Sequence, residues 1–118
     1  MNSGEFVLTL LHAATNTHLL HLKSKSYSEH MALGAFYEAL PGLVDTLAES
    51  IQGLTGELLE YPADYYAPAE TAMQELEDLK DFVKENRQNL PQESEIQNLV
   101  DEIADLINST CYKLKFLK

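Results

Sequence analysis

The sequence has no tryptophan, a single cysteine and few basic residues. Eight Lys and Arg stand against 19 Asp and Glu, which gives a formal net charge of −11 over 118 residues. Nucleic acids and anionic lipid surfaces both require a positive field facing their phosphates. The overall charge therefore argues against both classes of partner, and we expect no binding to DNA or to membranes.

The lone Cys111 excludes an internal disulfide and any metal site built from paired cysteines. We interpret it as a small buried side chain on a helix. No apolar run approaches the ~18 residues that a membrane span requires, and residues 1–5 lack the basic region of a secretory signal. Phosphate-binding glycine loops and nucleophile elbows are also missing. These absences favour a cytoplasmic protein.

Apolar residues recur at helical spacing along most of the chain, and no segment shows the alternation of a strand. We expect helices near residues 5–23, 27–53, 68–88 and 92–116. In the first helix the predicted inward stripe is Val7, Leu11, Ala14, His18 and His21. Because each stripe must be covered by other helices, the sequence predicts an all-α four-helix bundle in one domain, residues 1–118.

Residues that commonly begin, bend or interrupt helices set the expected helix boundaries. Ser26 and Glu29 have the spacing of a capping box at the start of the second helix. Pro41 lies inside that helix and is expected to kink it. Residues 57–68 contain two prolines and three tyrosines with no sustained period, and they are long enough to cross the bundle from end to end. Pro68 is a favourable first residue for the third helix.

The histidines are unevenly placed, since all four fall within the first 30 residues. His18 and His21 share one helical face, and His30 starts the next helix at the same end of the hairpin. We therefore expect these three imidazoles to converge. Each one also has a simpler interpretation, as a polar residue at a helix end or a hydrogen-bonded core histidine. His12 faces the other side of its helix and is interpreted as a surface or interface residue.

Asp45 and Glu49 are four residues apart and project from one face of the second helix. Their neighbours are mostly apolar, so an inward position is one interpretation, and a buried carboxylate would then need a partner. A solvated face is the alternative, because charged residues are mostly exposed.

Taken together, His18, His30, Asp45 and Glu49 follow one another at spacings of 12, 15 and 4 residues. This set resembles the ferroxidase residues of the Dps family, the mini-ferritins of starved bacteria. The sequence HLLHLKSKSYSEH from His18 to His30 is similar to small Dps-like proteins encoded by bacteriophages. In the Dps family a tryptophan follows the first histidine ligand, and this chain has no tryptophan. Alignment of the neighbouring residues instead matches His21 to that ligand. Both His18 and His21 therefore remain candidates.

The resemblance covers about residues 5–56 and implies a ferritin-like fold, an iron site between subunits and, for a phage product, a location in the host cytoplasm. Geometry supports the intersubunit placement independently. Asp45 lies 15 residues beyond His30 on one helix, a separation of roughly 22 Å. If the histidines and carboxylates bind the same ion, the carboxylates must come from a neighbouring subunit packed antiparallel across a two-fold axis, in a homodimer or a larger homo-oligomer. Imidazoles with carboxylates suit Fe(II), and also Zn(II) or Mn(II).

Three functions are compatible with these observations. The first is a Dps-like protein that binds iron and oxidises Fe(II). The second is a non-enzymatic phage structural or host-interaction protein that keeps the ferritin-like fold. The third is an acidic mimic that occupies a nucleic-acid-binding surface, which the net charge permits.

Overall fold

The computed structural model describes all 118 residues and contains no strand. Its helices are α1 (Ser3–Lys23), α2 (Tyr27–Thr55), α3 (Ala72–Asn86) and α4 (Ser94–Phe116), with a 3₁₀ turn at Arg87–Asn89. The predicted all-α helical bundle is confirmed. None of the four helices combines the length and the apolar character that crossing a bilayer requires.

Contacts between the helices fix their directions. Helices α1 and α2 form a hairpin, and the ring of Phe6 near the start of α1 stacks on Phe82 near the end of α3, with centroids 5.3 Å apart. At the turn after α3, the Arg87 side chain donates to the side chain of Gln97 near the start of α4. Helices α2 and α3 therefore run parallel, and residues 56–71 cross the bundle between them. The predicted long crossover is confirmed.

The crossover is held against α1 by two close contacts. A Cβ atom on Gly4 would lie 1.8 Å from the carbonyl oxygen of Glu60, so only glycine fits there. Farther along α1, the buried Asn16 side chain donates to the carbonyl oxygen of Tyr66 at 3.1 Å. These contacts align the crossover along most of α1.

All four helices contribute to one core cluster of 22 buried residues. Its largest fully buried members are Phe6, Leu10, Leu33, Phe36, Leu40, Leu47, Ile51, Leu76, Ile96, Ile103 and Ile107. Cys111 belongs to this cluster, as expected for a structural cysteine, and burial raises the pKa of its thiol.

The inward face of α1 differs from the predicted stripe. Leu11 and His18 are exposed, whereas Leu10, Ala13 and Thr17 are buried. The stripe at residues 7, 11, 14, 18 and 21 follows one edge of the buried face rather than its centre. It omitted Phe6, Leu10 and Leu20, which bury more apolar surface than the residues it included.

Helix α3 begins at Ala72, and the prediction that it starts near Pro68 was wrong. The Thr71 hydroxyl accepts a hydrogen bond from the backbone N–H of Gln74 at 3.2 Å, which makes Thr71 the N-cap. Pro68 belongs instead to the crossover. The hydrogen bond to Thr71 therefore sets the start of α3, although Pro68 would also be favourable in a first helical turn.

The start of α2 follows the prediction in part. Ser26 Oγ accepts from the backbone N–H of Glu29 at 3.3 Å, while the Glu29 carboxylate accepts from the Ser24 hydroxyl at 2.5 Å instead of returning to the backbone of Ser26. Helix α2 continues through Pro41, where a bend stays a prediction. It ends at Gly56, whose φ of 73° is readily adopted by glycine.

Candidate metal centre

His21 on α1 and His30 on α2 join the two helices of the hairpin by reciprocal hydrogen bonds, and we call this pair the histidine clasp. The Nδ1 atom of His21 lies 2.6 Å from the carbonyl oxygen of His30, and the Nδ1 atom of His30 lies 2.9 Å from the carbonyl oxygen of His21. Their rings stack with centroids 3.6 Å apart and planes at 18°. Because a carbonyl oxygen can only accept, each Nδ1 carries its proton, and Nε2 of the neutral ring holds a free lone pair.

His18 stands beside this clasp with Tyr37 packed against it. The rings of His18 and Tyr37 stack at 4.0 Å between centroids, and the His18 centroid lies 6.1 Å from that of His21. The structure thus brings the three histidines to one end of the hairpin. His18 is exposed rather than part of the apolar seam, and within one chain no group of three or more potential ligands is placed to hold one metal ion.

Gly34 on α2 makes room for the His21 ring. A Cβ atom at this position would lie 3.1 Å from Cε1 and 3.3 Å from Nδ1 of His21. Sequence reasoning missed both Gly34 and Tyr37. The available signal was a glycine inside a helical pattern, which often marks a close approach of another group.

Asp45 and Glu49 both lie on the exposed side of α2, while Val44, Leu47 and Ile51 face the core. The interpretation of these acids as inward residues was wrong, because the flanking apolar residues occupy the inner face without them. The single ion pair in the chain joins Arg87 and Asp101, so neither acid has a cationic partner. Since α2 is continuous from Tyr27 to Thr55, these carboxylates stay far from the histidines of their own chain.

His12 is half-buried where α1 meets the crossover. Its ring centroid lies 5.5 Å from that of Tyr65 and 6.1 Å from that of Tyr66. This side chain packs against the crossover and does not join the other histidines.

A buried carboxylate, which the sequence did not reveal, lies at the start of α3. Glu75 is 3% exposed, accepts from the backbone N–H of Ala69 at 2.8 Å and from the hydroxyl of Tyr66 at 3.4 Å. Burial raises the pKa of the Glu75 carboxyl above its ordinary value. Burial, reinforced by the Glu75 charge, also raises the pKa of the Tyr66 phenol. This pair anchors the crossover beside an open cavity of about 340 Å³.

Comparison with family models matches residues 21–114 to a family of unknown function, DUF5856. The chain belongs to this family. The region matched to DUF5856 contains His21, His30, Asp45 and Glu49, and His18 lies before it. No curated protein and no solved structure shows significant similarity to the chain. Membership in DUF5856 names no activity.

Proposed function

We propose that the chain is a Dps-like iron-binding protein whose metal site forms between two subunits. Histidines at the hairpin end of one subunit and the Asp45 and Glu49 carboxylates of its neighbour would bind the metal. The observation that carries this proposal is the reciprocal clasp of His21 and His30, which leaves both Nε2 atoms without a hydrogen-bond partner.

The clasp has the arrangement that metal-binding histidines commonly show. A histidine ligand usually donates its second ring N–H to a carboxylate or a backbone carbonyl, which fixes the tautomer and the ring orientation. His21 and His30 each make this bond to a carbonyl oxygen already. Both rings are therefore held in the tautomer that binds metal through Nε2, and the exposed His18 is a third candidate ligand.

The carboxylates complete the set only if a second subunit supplies them. Asp45 is roughly 22 Å from His30 along a continuous helix. Its exposure, like that of Glu49, leaves both side chains free to contact another subunit. Antiparallel packing of two α2 helices around a two-fold axis would place histidines opposite carboxylates twice per dimer. The resulting nitrogen and oxygen ligands suit Fe(II), with Zn(II) and Mn(II) as competitors.

The connectivity supports the same proposal. Two antiparallel hairpins joined by one long crossover are typical of ferritin-like bundles. Because a shared connectivity does not by itself assign an activity, the proposal still depends on the histidines and carboxylates.

Fe(II) would be the substrate of such a site. The imidazoles and carboxylates would bind and orient the ion. Two Fe(II) ions would each lose one electron to one hydrogen peroxide, which takes up two protons and becomes two waters. With dioxygen as the oxidant, two Fe(II) ions and two protons would give two Fe(III) ions and one hydrogen peroxide. Carboxylate oxygens are hard donors and would stabilise the Fe(III) product. We place this activity in a cytoplasm, that of a host cell if the protein is phage-encoded.

A second candidate is a non-enzymatic structural or interaction protein. It is favoured by the same clasp, because the stacking and hydrogen bonding of His21 and His30 also explain both residues as a purely structural fastening of the hairpin. In this case the protein keeps the bundle and binds no metal.

Asparagine substitutions separate the two candidates. The side-chain amide of asparagine can donate a hydrogen bond from a position close to that of histidine Nδ1, but asparagine has no atom equivalent to Nε2. We expect His21→Asn with His30→Asn to keep the hairpin and to bind Zn(II) or Fe(II) at least about 100-fold more weakly than wild type, since two ligands are lost. Asp45→Asn with Glu49→Gln should weaken binding similarly, and Glu102→Gln with Asp105→Asn, an equally exposed pair on α4, should not.

The measurement is calorimetric titration of each variant with Zn(II), and anaerobic titration with Fe(II) followed by addition of oxygen. Wild type that binds neither ion would exclude the metal site and leave the structural role. Binding that survives Asp45→Asn with Glu49→Gln would exclude the intersubunit carboxylates. Binding of Fe(II) without formation of Fe(III) would exclude the ferroxidase activity alone.

A further inference from the structure

The basic residues of this acidic protein are concentrated at one end of the bundle. We call this the lysine end and define it as residues 18–31 and 109–118, where the last turn of α1, the first of α2 and the last of α4 meet. It carries five of the eight basic residues and a single acid, Glu29. The basic residues of the lysine end are Lys23, Lys25, Lys113, Lys115 and Lys118. The other three basic residues share the rest of the chain with 18 acids.

The same end exposes large apolar side chains. Tyr27 is 78% exposed, Leu22 is 66% exposed and Phe116 is 65% exposed, and Met31, Tyr112 and Leu117 are each about half exposed. An open apolar groove of about 470 Å³ lies between the start of α2 and the end of α4, with Lys113 at its edge. The lysine end therefore presents cationic and apolar groups together.

We propose that the lysine end docks on an anionic phospholipid surface. Lysines that lie near such a surface are attracted to its phosphates, and aromatic and aliphatic side chains beside them insert into the boundary between headgroups and acyl chains. The molecule measures 45 × 29 × 22 Å. Docking by one end would hold the acidic remainder away from the surface, where salt screens its repulsion beyond roughly 8 Å.

The net charge of −11 would disfavour membrane binding if the charge were evenly spread over the surface. The structure separates it into a cationic end and an acidic body. The protruding apolar groups favour lipid over nucleic acid, because a phosphate backbone offers them no apolar phase to enter. The lysine end includes His18, His21 and His30 of the proposed metal site, but none of the residues substituted below to test membrane docking is one of the proposed ligands.

The test is co-sedimentation of the purified protein with vesicles at about 0.15 M salt. One set of vesicles contains equal amounts of phosphatidylcholine and phosphatidylglycerol, and the other contains phosphatidylcholine alone. We expect binding to the first set only, and we expect high salt to release the protein.

Matched variants locate the contact. Lys25→Glu with Lys115→Glu should weaken partitioning by at least roughly 25-fold. Lys80→Glu with Lys84→Glu, an equal charge change at exposed positions of α3, should have little effect. Tyr27→Ser should weaken partitioning by roughly tenfold, whereas Leu58→Ser, at a residue that is 83% exposed near the opposite end, should not.

Three results would overturn the proposal. They are absence of binding to the anionic vesicles, equal binding to both sets of vesicles, and equal losses in the two lysine pairs. Binding of duplex DNA as strong as that of the anionic vesicles would also overturn it, in favour of a nucleic-acid partner.

Discussion

Gly34 offers the sharpest perturbation of the histidine clasp, because it is changed without altering any ligand. An alanine Cβ at this position would sit 3.1 Å from Cε1 of His21. The ring has little freedom to retreat, since its opposite contacts are a stacked His30 at 3.6 Å and a hydrogen bond of 2.6 Å from Nδ1. Gly42 on the same helix is the matched control, because nothing lies within 4 Å of a Cβ added there.

The magnitude follows from two opposing effects. Replacing glycine by alanine inside a helix stabilises it by up to ~1 kcal/mol, and Gly42→Ala should show most of this gain. At Gly34 the displaced ring would lengthen a hydrogen bond worth about 1 kcal/mol and disturb the stacking on His30 and the edge-on contact with Tyr37. We therefore expect Gly34→Ala to be less stable than Gly42→Ala by about 1–2 kcal/mol.

The assay is urea unfolding of both variants in wild-type and His21→Ala backgrounds, read as a double-mutant cycle. In the His21→Ala background Gly34→Ala should become stabilising, as Gly42→Ala is in both backgrounds. If Gly34→Ala stabilises the wild-type protein as much as Gly42→Ala does, the His21 ring is not confined as the structure indicates, and the clasp is not a preorganised element.

Three further predictions address charge and protonation. The raised pKa of the Glu75 carboxyl means that the folded state holds the proton more tightly than the unfolded state. The contribution of Glu75 to stability should therefore be greatest at low pH and decline as pH rises above the ordinary carboxyl range. Urea unfolding of Glu75→Gln across the same pH range should lack that decline. Metal affinity should fall between about pH 7 and pH 5, because imidazole ligands must be neutral, and a flat calorimetric profile would indicate carboxylates alone. The protein should not retard duplex DNA in a gel at about 0.15 M salt without divalent cations.

The architecture could be predicted from the sequence because it depends on repeated signals. Each helix carries many apolar residues at one period, and the crossover is marked by prolines and by the loss of that period. Errors arose where a single hydrogen bond or the size of a few individual side chains decides. The cap of Thr71 moved the start of α3, and the larger side chains of Phe6, Leu10 and Leu20 rotated the inward face of α1.

The candidate site could be predicted only as a set of residue types. Spacing placed His18, His21 and His30 at one end of the hairpin, as the structure shows. It did not predict the reciprocal hydrogen bonds, which depend on the depth at which two helices meet and hence on Gly34. Nor did it reveal the buried Glu75, whose partners in the crossover have no periodic signal.

Subunit complementation tests the intersubunit metal site most directly. One variant carries His18, His21 and His30 replaced by asparagine, and the other carries Asp45→Asn with Glu49→Gln. Each homodimer should bind Zn(II) and Fe(II) at least about 100-fold more weakly than wild type, and therefore hold almost no metal at concentrations that saturate wild type. A mixed dimer, isolated through different tags on its two subunits, has one metal site with every ligand and one with none. If the metal site is shared between subunits, this mixed dimer should bind half as much metal as the wild-type dimer. Mixed dimers that form and bind none would contradict a shared site.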